Sequence, residues 1–328
     1  NEYLFFARHS ISYSYYAKGN ANKALHHATT VYHQYFHQLS AFNRVRTYTM
    51  LANANLIAAN YQKSQWFAEE GLKIAQMLEN TFVTQILLTT QSQGEAIQGF
   101  LDEAFAHATK ALKMGEEQNY THTIISANRV MGDIYRHLQN YSLALRYYRV
   151  AQLRGGYSND TIYTLDNDLS LASTLAWMGQ VAEARSLVQH TLDVTREKGM
   201  TQLHAGAHLK LALCDLMERN LSGAEANILQ ADRLSLDNGL IYEMVWCQVG
   251  YARIALSRKQ FDVAKKAIES ILETSDQRNL PWMKLRGLNF CSQLHNATQE
   301  RSLLRYRSEH QALLRFLSEH TQSDALRN

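Results

Sequence analysis

Gly179-Gln180-Val181-Ala182-Glu183-Ala184 decides the fold, because it recurs. At every step of forty residues from Ala184 the same kind of residue returns: Ala24, Ser64, Ala104, Ala144, Ala224, Ala264. Self-similarity at a fixed period of this size is the mark of stacked helical hairpins. A second column keeps the same beat twelve residues earlier: Ser12, Ala52, Ser92, Gly132, Ala172, Ala212, Ala252 and Ser292. The residue before each of these is mostly large and apolar, as at Ile11, Leu51, Met131, Leu171, Leu211 and Tyr251, with Gln91 the exception. Small residues let two antiparallel helices approach, and the large neighbour fills the groove beside them.

Between the columns lie turns: Lys18-Gly19-Asn20, Ala59-Asn60-Tyr61, Gln139-Asn140-Tyr141, Gly179-Gln180-Val181, Arg219-Asn220-Leu221 and Lys259-Gln260-Phe261. Gly and Asn tolerate the left-handed conformation that ends a helix, so these residues read as stops. Asn119, Asn159, Gly199, Gly239 and Asn279 read as the stops of the second helices. The pattern predicts helices over 4–17 and 21–37, 42–58 and 62–78, 82–98 and 102–117, 122–138 and 142–154, 161–178 and 182–198, 202–218 and 222–237, 242–258 and 262–275. Pro281 suits the first turn of a further helix at 282–296, and a last helical segment covers 300–320.

These residues resemble the tetratricopeptide repeat. The resemblance rests on the spacing of twelve and on Tyr15 and Tyr135, three residues after the first small column. Ala28, Ala68 and Ala108, and then Ala111, Ala151 and Ala231, also match that family's small positions. The period of forty departs from the family's thirty-four, and the proline after its second helix is missing here. The longer period looks like the extended repeats in the regulatory arms of MalT-like bacterial transcription activators. The resemblance implies an all-α solenoid, a right-handed superhelix of antiparallel hairpins whose first helices line the inner wall. Its expected division is seven and a half repeats over residues 1–298, then a capping or connector helix over 299–328.

Composition agrees with a folded helical chain. Of 328 residues, 46% are apolar and 19% charged; proline occurs once and glycine fifteen times. A net charge of +3 does not imply nucleic acid. Cys214, Cys247 and Cys291 form no CxxC and fit a reducing compartment, as small buried hydrophobes. No apolar run reaches membrane-spanning length. Asn1-Glu2-Tyr3-Leu4 lacks the layout of a signal peptide, and the missing methionine fits either an excised piece of a longer protein or a trimmed one. Together these favour a cytoplasmic protein.

No nucleotide, hydrolase or metalloprotease motif is present, so the expectation is a binding protein rather than an enzyme, with no cofactor and no metal. Gly155-Gly156 reads as a longer loop before the fifth repeat. His26, His33 and His37 share one helix face but gain no acid or cysteine, and read as a solvated or partner-facing stripe.

In the resembled family, guest-contacting side chains stand three before and one after the first small column. Carried over, these are His9 and Tyr13, Thr49 and Asn53, Thr89 and Gln93, Arg129 and Asp133, Leu169 and Ser173, Leu209 and Leu213, Val249 and Arg253. They are polar in repeats one to four and mostly apolar beyond. Asn53 matches the family's use of asparagine to hold a peptide backbone, and Arg46, Arg129 and Arg136 suit carboxylates. The candidate groove set is Arg46, Thr49, Asn53, Gln93, Arg129, Asp133 and Arg136. The same residues also read as merely solvated groove positions.

The N-terminal end is basic and aromatic: residues 1–60 hold five Lys or Arg against one acid, and eleven aromatics lie between Tyr3 and Tyr48. That density suits a protein interface, with Tyr13, Tyr15 and Tyr16 as candidates, or a homodimer, and its unclustered charges argue against nucleic acid. Leu303, Tyr306, His310, Leu313 and Leu317 form a short seam, for capping the last repeat or for running into a DNA-binding or nucleotide-cyclase output domain. The expected function is a protein- or peptide-recognition module of a bacterial signalling or transcription-regulatory protein, taking a partner or small effector in its groove. The alternative is a scaffold or dimerisation arm.

Overall fold

A computed structural model describes residues 2–156, 161–323 and 326. Sixteen α-helices and no strand occur among them. They run in antiparallel pairs: α1 Glu2–Ala17 and α2 Ala21–Tyr35, α3 Ala41–Ile57 and α4 Tyr61–Met77, α5 Thr81–Gln98 and α6 Leu101–Gln118, α7 Thr121–His137 and α8 Tyr141–Gly155. Then follow α9 Thr161–Trp177 and α10 Val181–Lys198, α11 Thr201–Met217 and α12 Leu221–Asn238, α13 Ile241–Ser257 and α14 Phe261–Arg278. The last are α15 Pro281–Thr298 and α16 Tyr306–Glu319, the latter entered through a 3-10 turn at Arg301–Arg305 where one continuous helix was expected. A second 3-10 turn, Phe36–Gln38, ends the first pair two residues earlier than the pattern predicts.

The two small columns face each other inside each pair. Three column serines send their hydroxyls across the gap: Ser12 Oγ donates to Ala24 O at 2.8 Å, Ser64 Oγ to Ala52 O at 2.8 Å, and Ser92 Oγ to Ala104 O at 2.6 Å, whereas Ser292 Oγ bonds back to Leu288 O of its own helix. Ala24, Ala104, Ala144, Ala184, Ala224 and Ala264 are fully buried. Each hairpin hides one apolar face this way and the other against its neighbours, so the core is continuous along the stack.

Helix ends keep a beat of twenty. Left-handed φ occurs at Gly19, Ala59, Gly99, Gln139, Gly179, Arg219, Lys259 and Gln299, and at Glu79, Asn119, Gly199, Gly239 and Asn279. The predicted stop at Asn159 lies outside the described residues. In the intra-pair turns the asparagine is not the left-handed residue, which corrects the sequence reading. Asn20, Asn140 and Asn220 begin the next helix instead, their side chains accepting from the backbone N–H of Lys23, Leu143 and Gly223. The residue before them ends the preceding helix with paired backbone bonds, as in Gly19 N to Tyr16 O and Asn20 N to Tyr15 O.

The stack coils back on itself. Asn20 Nδ2 donates to Asn238 Oδ1 at 2.9 Å, and Arg278 Nη1 to Asn60 Oδ1 at 2.6 Å, each across 218 residues. Across nearly the same separation Asp102 Oδ2 accepts from Gln322 N at 2.6 Å and Asp102 Oδ1 from Ser323 N at 3.0 Å. The turns of pairs one, two and three therefore rest on the ends of pairs six, seven and eight. Thr201 N also donates to Lys18 O at 2.8 Å, and Trp282 Nε1 to Ala96 O at 2.9 Å.

Candidate ligand-binding chamber

Because the coil closes, the inner faces of the first helices enclose a chamber of about 230 Å³. Its wall repeats one helix face: Ile86, Ser126, Asp166, Gly206 and Trp246 stand one turn before Thr89, Arg129, Leu169 and Leu209, and Asn53, Gln93, Asp133 and Ser173 one turn after. The Tyr16–Gly19 end of the first pair closes it from the opposite side, against Gln202 and Tyr242.

The centre of the chamber is an ionic knot. Asp133 Oδ2 takes Arg129 Nη1 at 2.7 Å and Oδ1 takes Arg136 Nη2 at 2.9 Å. Tyr148 Oη adds a third donor at 2.7 Å from Oδ1. Tyr148 reaches Asp133 from the second helix of its pair because Gly132 leaves room; a Cβ there would sit 2.5 Å from the Tyr148 ring. Arg129 Nε also meets Asp166 Oδ2 at 3.0 Å. Burial alone would raise the Asp133 carboxyl, but Arg136, Arg129 and the Tyr148 hydroxyl hold it down at about 2. Asp166 moves the other way: burial raises it despite Arg129. Burial, aided by Asp166, pushes the Tyr16 hydroxyl to about 12.

Of the groove candidates, Asn53, Gln93, Arg129, Asp133 and Arg136 line the chamber; Arg46 and Thr49 do not. Arg46 lies over the rings of Phe6 and Phe42, at 5.7 and 5.8 Å from their centroids. The Thr49 hydroxyl bonds back to Val45 O. Asn53 lines the chamber, and its Oδ1 accepts from the Thr90 hydroxyl at 2.7 Å. The three interface tyrosines separate. Tyr13 is 56% exposed, Tyr15 stacks on His27, and Tyr16 closes the chamber. His26 and His33 line a shallow depression on α2, and among the described residues no three ligand-type side chains converge on a metal position. The three cysteines are buried, their thiols pushed up by burial, Cys214 and Cys291 to about 11.

Sequence reasoning missed Asp166, Lys210 and Trp246, which line the chamber. The signal was available: Asp166 and Trp246 fall six residues before the first small column, one turn from Leu169 and Val249, which were already singled out.

No family model matches the chain, and no curated protein matches it by sequence. Solved structures do. A Rap protein complexed with competence and sporulation factor superposes with a TM-score of 0.62 at 11% identity, covering 98% of this chain and 100% of that one. This chain is a tetratricopeptide-like α-solenoid. Two further structures align less well. The apo form of RapI has a TM-score of 0.48 at 11% identity over 94% of this chain and 86% of its own. Aspartyl phosphate phosphatase F from Bacillus subtilis has 0.48 at 12% over 98% and 95%. No helix of the described solenoid is long and apolar enough to cross a membrane.

Proposed function

We propose that this solenoid is a non-enzymatic recognition module that takes an extended protein or peptide segment into its chamber. The observation that carries this reading is the wall itself. Consecutive first helices present the same face, with hydrogen-bonding side chains such as Asn53 and Gln93 one pair apart, a spacing suited to an extended backbone. The Rap protein of like fold, complexed with competence and sporulation factor, gives a precedent for a guest held by such a coil. The setting we propose is a cytoplasmic bacterial signalling or transcription-regulatory protein of the extended-repeat, MalT-like kind. Its recognition unit spans 1–298, and residues 299–328 cap it. The packing of Leu303 and Leu317, and of Phe316 against Phe100 at 5.5 Å, favours capping over a free connector.

Screening a random linear-peptide library by fluorescence polarisation tests the chamber. The double variant Asn53→Ala, Gln93→Ala should weaken the selected peptides roughly tenfold or more, at about 1 kcal/mol for each lost hydrogen bond, with helicity intact. Unchanged affinity would remove the chamber as the site. A second reading, a dimerisation arm, draws on Tyr3, Tyr13 and Phe42, all more than half exposed at the N-terminal end. Sedimentation that finds a dimer in the wild type and a monomer in Tyr13→Ser would favour it.

A further inference from the structure

The chamber carries more positive charge than its own acids answer. Lys210 on α11, Trp246 on α13 and Arg286 on α15 stand on three consecutive first helices; Lys210 and Trp246 line the chamber, and Arg286 stands beside Trp246 outside that lining. Lys210 Nζ lies 5.5 Å and Arg286 Cζ 4.8 Å from the centroid of the Trp246 ring. Neither cation has an ion pair or hydrogen bond among the described residues. A third, Arg253 on α13, lies 5.2 Å over the Trp177 ring, equally unpaired.

The nearby carboxylates are largely committed elsewhere. Asp133 holds Arg129 and Arg136, Asp166 holds Arg129, and Glu243 Oε1 accepts from Gln202 at 3.0 Å. Glu243 Oε2 has no hydrogen-bond partner among the described residues, and with Asp133 and Asp166 it answers the Lys210 charge only through space. An indole face compensates a cation only in part, whereas withdrawing one from water without a counter-ion is costly. Partial burial accordingly lowers the Lys210 ammonium to about 8, with Arg136 adding to it and Glu243, Asp133 and Asp166 opposing it, and burial lowers Arg286 and Arg253 as well.

Resting on the recognition reading above, we infer that Lys210, Arg286 and Trp246 form the receptor for an acidic side chain of the bound peptide. The guanidinium and ammonium flank its carboxylate, and the indole receives the adjoining methylenes. An acidic peptide is the occupant that fits, because this end continues along the chamber wall toward the row of Gln93 and Asn53. Supplying the missing anion makes charge complementarity the source of selectivity.

The test uses fluorescein-labelled octapeptide pools, each with one position fixed as Glu, Gln or Lys and the rest mixed, on the intact chain at low salt. The best Glu pool should bind at least tenfold tighter than its Gln counterpart. That ratio should fall to near one in Lys210→Met, Arg286→Met, and persist in Lys210→Arg, Arg286→Lys. The double Met variant should melt no lower than the wild type, since it removes two half-buried cations that no ion pair holds. A clearly lower melting temperature would make the cations structural and overturn the inference. Pools that bind with Glu and Gln alike, or best with Lys, overturn the inference and leave peptide recognition standing. No pool binding at all overturns the recognition reading itself. N-acetylglutamate binding as tightly as the Glu pools would make the occupant a free carboxylate, against the peptide assignment.

Discussion

Asp133 shows how much one side chain organises. It accepts from Arg129, Arg136 and Tyr148 at once, so it fixes the inner wall of the fourth pair and the second helix behind it. Asp133→Asn leaves Arg136 with little but the Tyr148 hydroxyl, and should cost about 3–5 kcal/mol, the usual penalty for breaking a buried pair. The pH dependence has a definite sign. The folded carboxyl titrates at about 2, below its ordinary value of 3.8. Its contribution is therefore complete above about pH 4 and disappears as pH falls toward 2. Asp166, raised by burial, titrates in the opposite sense. Urea unfolding of wild type and Asp133→Asn side by side isolates Asp133: the gap between them should be constant from pH 5 to 7 and shrink below 4. A gap that persists at the lowest pH would show that charge is not what the residue contributes. The family-derived positions three before and one after the small column include Arg129, Asp133, Asn53 and Gln93, which line the chamber. They pass over Asp166 and Trp246, which line it from a turn earlier on the same face. They also included Thr49, whose hydroxyl is spent on its own helix.

At the level of the helices and their turns, the forty-residue beat was almost fully legible, with most ends displaced by a residue or so. What the sequence hid was the division of labour within a turn. An asparagine serves equally as a left-handed stop or as a helix cap, and Asn20, Asn140 and Asn220 are caps while Asn119 and Asn279 are stops. Ala59, Gln139, Arg219 and Lys259 accept the left-handed strain, so glycine is not obligatory for the turn itself. Gly19 is different. Its φ is +72°, and a Cβ would run into the backbone and side chain of Gln202. Gly179, at φ +81°, has open space around it. Gly179→Ala should therefore cost about 1–2 kcal/mol from backbone strain alone. Gly19→Ala should cost more, by roughly 1–3 kcal/mol of overpacking against α11. Equal midpoints in urea for the two variants would mean the Gly19 turn does not bear on α11 as tightly as the geometry requires.

Nothing in the sequence marks the return of the coil, because a contact between pair n and pair n+5 leaves no periodic trace; it follows from a small rotation summed over the stack. A simple solenoid is held by neighbours only, and its ends can fray independently. Here four hydrogen bonds across about 220 residues, one each at Asn20 and Asn60 and two at Asp102, tie the first superhelical turn to the second. Those contacts close the chamber and add long-range cooperativity. The triple variant Asn20→Ala, Asn60→Ala, Asp102→Ala removes them, and the α2 cap that Asn20 also supplies, without touching the small columns, at a cost of roughly 4–5 kcal/mol if each bond and the cap are worth about 1. Far-UV circular dichroism should stay at the wild-type value while the radius of gyration from solution scattering increases. Amide exchange should quicken at 18–22, 58–62 and 99–102, and in step at 237–241, 278–282 and 318–323. The interior of α10, away from the seam, should keep its protection. Loosening on one side of the seam without the other, or no expansion at all, would show that the coil holds its curvature through neighbour packing. The chamber would then be open by default rather than closed by its own turns.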